Sequence, residues 1–242
     1  MRLYGYNSVV ERLRSYPKTI RHIYLQEGHR EAAYIHRKAK QWEIPVYVVP
    51  GTKLLKLARN TNTQGILVDI EDFSYKSYDD LLEEAADKKR TLLFLDSLND
   101  PQNLGAIMRS LACLGYFGIV LPTHDSVSVT ETVLRVASGG DNHVPVSKVA
   151  NLGQAIRQAK EAGFFIVGAV AESGKDLMQA EFPALVGLVL GSEQKGIREV
   201  NRRLLGEELT IPMQLDRLSF NVAHAAAILA YEITKQKKQK KK

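Results

Sequence analysis

The 242-residue chain reads as an α/β protein built around a parallel sheet, on three observations. Short apolar runs alternate with amphipathic stretches of helical period. Several runs are apolar at every position, the pattern of strands covered on both faces. Polar residues capable of chemistry cluster just after those runs, where open α/β sheets place their ligand sites.

Over the first 71 residues the signals alternate in order. SVVERLRS reads as helix, IRHIYLQ as strand, EAAYIHRKAKQW as helix, PVYVV as strand, TKLLKLA as helix and GILVDI as strand. These form a small α/β unit, assigned to residues 1–73. Residues 74–89 are polar and charged with a short helical stretch inside, which suits a linker. A second series, residues 90–234, opens with TLLFLD and continues through IMRSLACLG, FGIVLP, NLGQAIRQAKEAG, FFIVGAV and LVGLVLG to FNVAHAAAILAYEITK. The end, KQKKQKKK at 235–242, is a lysine-rich tail.

A net charge of +6 and a pI near 9.3 invite a nucleic-acid reading. The distribution is more informative. The tail holds six lysines, equal to the whole excess. Residues 1–75 carry 12 Lys and Arg against 7 Asp and Glu, whereas residues 76–234 carry 15 against 20. Basic character therefore lies at the two chain ends. A lysine tail that only solubilises is the simpler reading of the last segment.

No apolar run approaches the roughly 20 residues of a membrane helix, and MRLYGYNSVV lacks a secretory pattern, so a cytoplasmic protein is expected. Cys113, the single cysteine, cannot form an intrachain disulfide and sits among Leu111, Ala112 and Leu114 as a buried thiol would. His22, His29 and His36 are spaced by seven, but strand and helix signals intervene, so no metal site is expected.

Familiar nucleotide motifs are absent. GAVAESGKD approaches a P-loop but is one residue too long and has Asp176 where Ser or Thr belongs; no G-x-G-x-x-G follows a strand signal. Three segments remain: SLNDPQNLGAIMRS after TLLFLD, GSEQKGI after LVGLVL, and QLDRLSFNVAHAAA after ELTIPM. Taken singly their residues have plain explanations. Asn103 suits a helix N-cap, Arg109 a solvated face, Gly191 a strand end, Glu193 a helix amino end, and Ser219 a cap with Asn221 on the first turn. Capping does not explain their joint order.

That order resembles the three signature motifs of the SpoU/TrmH methyltransferases. DPQNLGAIMRSLACLGYFGIVL is similar to the family's Asp-Pro-x-Asn-x-Gly, Arg and small-residue helix; GSEQKGI is similar to the second motif. IPMQLDRLSFNVAHAAAILAYE is similar to the third, Ile-Pro-Met then Ser-Leu-Asn-Val and an alanine-rich helix. ETVLRVASGGDNHVPV resembles the connecting segment, and residues 4–71, with the Gln-Gly-Ile of TQGILV, the family's substrate-binding domain. Gln194 stands where the family has Gly, and Phe220 where it has Leu; neither change removes a polar group.

The resemblance implies a trefoil-knotted α/β methyltransferase domain, an exception to the rule that chains do not thread their loops, plus a smaller α/β RNA-binding domain. It implies S-adenosylmethionine as cofactor, contacted by Gly191, Ile211 and Phe220, and a homodimer whose site forms between subunits. It also implies a catalytic set of Asn103, Arg109, Glu193, Ser219 and Asn221, with no metal. The implied activity is methylation of a ribose 2′-hydroxyl in structured RNA, ribosomal RNA ahead of tRNA. Two alternatives stay open: a non-catalytic RNA-binding module with a methyltransferase-like body, and a knotted methyltransferase acting on a base.

Overall fold

The computed structural model describes residues 1–59, 62–192, 195–215 and 218–240. The first unit runs β1 (Arg2–Tyr4), α1 (Tyr6–Ser15), β2 (Ile20–Gln26), α2 (Ala32–Gln41), β3 (Val46–Val49), α3 (Gly51–Leu57) and β4 (Ile66–Ile70). Its sheet has the order β1-β4-β2-β3, with β4 antiparallel to both neighbours and β2 parallel to β3. Alternation in IRHIYLQ sorts the faces. Ile23 and Leu25 are buried with Val9, Leu13, Ile35 and Ala39 from α1 and α2. On the other face α3 brings Leu54 onto Val49 and Leu67.

The second unit contains α4 (Tyr78–Asp87), β5 (Thr91–Asp96), α5 (Pro101–Leu114), β6 (Phe117–Pro122), α6 (Glu131–Ala137), β7 (Val146–Val149) and α7 (Leu152–Glu161). It continues with β8 (Phe165–Ala169), β9 (Lys175–Asp176), β10 (Val186–Gly191), α8 (Glu199–Arg202), β11 (Glu207–Thr210) and α9 (Val222–Gln239). The sheet order is β7-β6-β5-β10-β8-β11-β9, and each pairing in it is parallel. TLLFLD shows why its strands look uniformly apolar. Leu93 and Leu95 join one core with Ile107 and Leu111 of α5 and Leu229 and Ile233 of α9, whereas Leu92 and Phe94 join another with α4 and α7.

Several local expectations change. The segment expected as a linker carries α4, whose Leu81 and Ala85 are fully buried against the sheet, and Lys76 bridges to Ser147. The polar residues that suggested a linker form the outer face of that helix. Cys113 is exposed, because the buried face of α5 is set by Leu104, Ile107, Met108 and Leu111. The lysine run begins inside a helix, since α9 continues to Gln239.

The two units share an apolar cluster reaching from Leu3 and Leu13 to Leu104 and Leu134. Beside it, Arg12 of α1 meets Asp141 at 2.5 Å, the carboxylate 1% and the guanidinium 10% exposed. His143 Nε2 lies 2.8 Å from Glu11 Oε1 nearby.

Candidate functional site

Because the second sheet is parallel, the carboxyl ends of β5, β10 and β11 share one edge, and the segments that begin at Ser97, Ser192 and Ile211 leave from it. Gly191 ends β10, in register with Asp96 of β5. A Cβ there would lie 2.0 Å from the carbonyl carbon of Gly196 and 2.2 Å from the nitrogen of Ile197. Only glycine lets the strand end pass against the returning loop. That loop closes on itself through Gly196 N–H donating to Ser192 O at 2.9 Å.

Asp96 anchors the same loop from beneath. Its carboxylate is fully buried and accepts from Arg198 N at 2.8 Å, Arg198 Nε at 2.6 Å and Asn201 Nδ2 at 2.9 Å. An unpaired buried carboxylate costs several kcal/mol, so three donors converging on one group mark a built arrangement. Sequence reasoning missed Asp96, Arg198 and Asn201; the available signal was one charge closing an otherwise apolar strand.

Above the loop lies a cleft of about 200 Å³, walled by Leu190, Gly191, Ile211, Met213, Ser219, Phe220 and Val222. The cofactor candidates Gly191, Ile211 and Phe220 thus line one space, and Ser219 joins them. Phe220 is 43% exposed, so its ring forms an open wall. Apolar sides combined with bare main chain at the strand ends suit a flat heteroaromatic group held by backbone hydrogen bonds.

The first and third segments are joined directly. Asp100, rather than Asn103, caps α5, its side chain accepting from Gln102 N at 2.8 Å. Asn103 is buried in the first turn, where its Oδ1 accepts from Asn221 Nδ2 at 3.1 Å. Asn221 also caps α9, accepting from Ala223 N at 2.8 Å, so the cap assigned to Ser219 by simple spacing belongs to Asn221. A close approach explains the glycine of the Asn-x-Gly pair. A Cβ on Gly105 would lie 2.6 Å from Val136 Cβ and 2.8 Å from Val133 O, so Gly105 seats α6 on α5.

Arg109 is not brought into the cleft. It lies exposed on α5, about 9 Å along the helix axis from Asn103 and turned away from it. Glu193 and Gln194 lie outside the described residues. His22 and His29 are held apart by separate partners, Asp69 Oδ2 at 2.8 Å and Gln64 O at 3.2 Å. Among the described residues no group of three or more His, Cys, Asp or Glu is placed to hold a metal ion.

Residues 90–231 match the SpoU rRNA Methylase family, and residues 2–76 match the RNA 2′-O ribose methyltransferase substrate binding domain. The chain belongs to the SpoU/TrmH family of RNA methyltransferases. It is 34% identical over 227 residues to a Staphylococcus haemolyticus protein assigned to the TrmH family of tRNA/rRNA methyltransferases, covering 91% of this chain and 90% of that one. A Bacillus subtilis relative with the same assignment is 32% identical over 237 residues, with 96% and 94% covered. Among solved structures, the AdoMet-bound rRNA methyltransferase of Sinorhizobium meliloti superposes with a TM-score of 0.80 at 23% identity, covering 97% of this chain and 86% of that one. The SpoU methyltransferase AviRb of Streptomyces viridochromogenes gives 0.81 at 20% identity, with 99% and 90% covered. At these identities the structures speak for the fold.

Proposed function

We propose that this protein methylates a ribose 2′-hydroxyl in RNA, with S-adenosylmethionine as methyl donor and ribosomal RNA ahead of tRNA as substrate. One observation carries the reading: the cleft lined by Gly191, Ile211, Ser219 and Phe220 lies beside the Asn103–Asn221 bond, so three family motifs converge at one sheet edge. On this reading residues 1–73 bind RNA and residues 90–234 form a trefoil-knotted catalytic domain. The strand order, with β10 between β5 and β8, supports that topology. RNA modification also suits a cytoplasmic protein.

The residues fit the cofactor. Gly191, bare of a side chain, lets the Gly196–Ile197 main chain close against the strand end at the cleft, and Ile211 and Phe220 supply the apolar walls for an adenine. S-adenosylmethionine, when bound, supplies a methyl group activated on a sulfonium. Asn103, Glu193, Ser219 and Asn221 orient the ribose. Arg109 grips the adjoining phosphate and hydroxyl with its guanidinium, which stays protonated and therefore positions rather than abstracts, so the hydroxyl proton passes to that phosphate. The in-line geometry of the transfer makes such alignment the main demand on the protein.

The position of Arg109 supports a homodimer. In one chain it does not line the cleft, and a partner's Arg109 completes the site. An apolar surface near the cleft fits the pairing: Met178 is 83% and Tyr231 60% exposed, with Ile211 and Ile228 beside them. The test is to incubate the protein with labelled S-adenosylmethionine and total RNA from a strain lacking its gene. Nuclease-resistant 2′-O-methylated linkages are expected; label on a base alone, or none, rejects the reading.

A further inference from the structure

The first unit contains a second concave site, at the end of its sheet where β1 and β2 finish and β4 begins. A cavity of about 610 Å³ opens there between Tyr6, Asn7, Gln26, His29, Arg30 and Gln64. The Tyr6 and His29 rings stack with centroids 6.4 Å apart and an interplanar angle of 26°. His29 is oriented on both sides: Glu31 N–H donates to Nδ1 at 3.2 Å, which leaves Nε2 to donate to Gln64 O at 3.2 Å. This fixes the neutral tautomer. Gln64 in turn accepts from Tyr6 N through Oε1 at 3.1 Å, and its own N–H donates to Asn62 Oδ1 at 3.0 Å. Gly65, at φ 81°, is pressed so closely on His29 that a Cβ would lie 2.7 Å from its ring. The wall is therefore set before any ligand arrives.

We propose that this cavity holds an unpaired nucleotide of the substrate RNA, an inference that rests on the RNA reading above. The ring pair offers a face for a base, and the side-chain amides of Asn7 and Gln26 carry the donor and acceptor pair that matches a base edge. Arg30, exposed on the rim, suits the neighbouring phosphate. Glu27 also lines the cavity, where its carboxylate accepts from an exocyclic amine. The cavity lies within the range of small-ligand sites, roughly 300–1,000 Å³, and the first 75 residues carry 12 basic against 7 acidic side chains. Double-stranded RNA hides both the base face and most of the base edge, so the site selects unpaired segments.

The test compares binding of the full-length protein to short homopolymeric RNA strands and to an RNA duplex of equal length. Tyr6→Ala is expected to weaken single-strand binding roughly 5- to 150-fold, the loss of one stacked base, with duplex binding unchanged; Tyr6→Phe retains binding. Arg30→Gln lowers the slope of log affinity against log salt by about 0.7, whereas Tyr6→Ala leaves it alone. Thermal melting checks folding, and Tyr6→Ala keeps the main-chain bond to Gln64; if it unfolds, Gln26→Ala and Arg30→Gln decide. Single-strand affinities and slopes equal to wild type in the folded variants overturn the site. Ribose methylation by wild type alongside such results removes the cavity alone; single-strand binding lost in Tyr6→Ala without any ribose methylation removes the activity alone.

Discussion

Asn221 donates from Nδ2 to Oδ1 of Asn103 at 3.1 Å, across 118 residues of sequence, and with its own oxygen caps α9. One side chain thus ties the amino end of α5 to the amino end of α9. Asn103→Ala and Asn221→Ala should be non-additive in thermal unfolding, with a coupling of about 0.5–1.5 kcal/mol. Asn221→Asp retains the cap but loses the donor, so it should match Asn103→Ala more closely than Asn221→Ala does. Strict additivity would show that the bond contributes nothing.

Arg109→Ala should fold normally and bind S-adenosylmethionine, since the residue is exposed and outside the cleft, while methyl transfer falls by about 10²-fold or more. Arg109→Lys should also be impaired, because an ammonium cannot reproduce a bidentate fork. Mixing Arg109→Ala with a cofactor-cleft variant such as Gly191→Ala should restore part of the activity if each site draws Arg109 from the partner. Mixed samples no more active than either parent argue for sites complete within one chain.

Asp96 is a positioning residue for the loop that floors the cleft. Asp96→Asn keeps one acceptor oxygen but replaces the other with an NH2 group, whose hydrogens clash with the donors of Arg198 or Asn201. The expected result is a stability loss of about 1–3 kcal/mol and weaker S-adenosylmethionine binding in calorimetry. Arg198→Gln, at the half-exposed end of the network, should lower cofactor affinity with less effect on folding. Unchanged cofactor affinity in both folded variants would separate the network from the cleft.

Much of this was legible in the sequence for a physical reason. Strands buried on both faces, such as TLLFLD and LVGLVL, have no polar alternation to obscure them, and the residues after them must lie on one edge of a parallel sheet. Gly191, Ile211, Ser219 and Phe220 therefore meet in one cleft. Asp96 did not announce itself, because its value comes from Arg198 and Asn201, about a hundred residues away and on different elements. The cap at Asp100 was missed in favour of Asn103 because spacing alone does not tell which polar residue turns inward. The helical stretch within 74–89 was legible but its packing was not: with only Tyr78, Leu81 and Ala85 buried, the ten residues of α4 keep the charged look of a linker.

Glu84 makes that helix sensitive to acid. It is bonded by Lys76, by Lys88 Nζ at 2.9 Å and by Arg90 Nη2 at 3.1 Å. The hydrogen bonds from Lys76 and then Lys88 hold its carboxyl down to about 2 from an ordinary 4.5. A depressed folded-state pKa means stability that is complete above the unfolded value and is lost as pH falls from about 4.5 toward 2. Glu84→Gln should lower the melting temperature at neutral pH and flatten its decline across that window. Parallel wild-type and variant curves would exclude the linkage.

The lysine run at the chain end is the sharpest departure from a solubilising tail. α9 carries it as far as Gln239; Lys237 Nζ donates to Lys89 O at 3.0 Å and to Thr91 Oγ1 at 2.8 Å, and Lys240 Nζ donates to Phe182 O at 2.8 Å. Lys237 thereby binds the carboxyl end of α4 and the start of β5, where carbonyl oxygens attract a cation. Lys237→Ala should lower stability by about 0.5–1.5 kcal/mol and leave the salt dependence of RNA affinity nearly unchanged. Removing residues 235–242 tests the alternative. If all six lysines each neutralise a phosphate of single-stranded RNA, the truncation flattens the slope by about 4, whereas lysines engaged on carbonyls predict a much smaller change and a clear fall in melting temperature. A slope change near the full value, with melting unaltered, would return the segment to an RNA-binding tail; sequence preference should stay constant in either case, since phosphate contacts carry no base information.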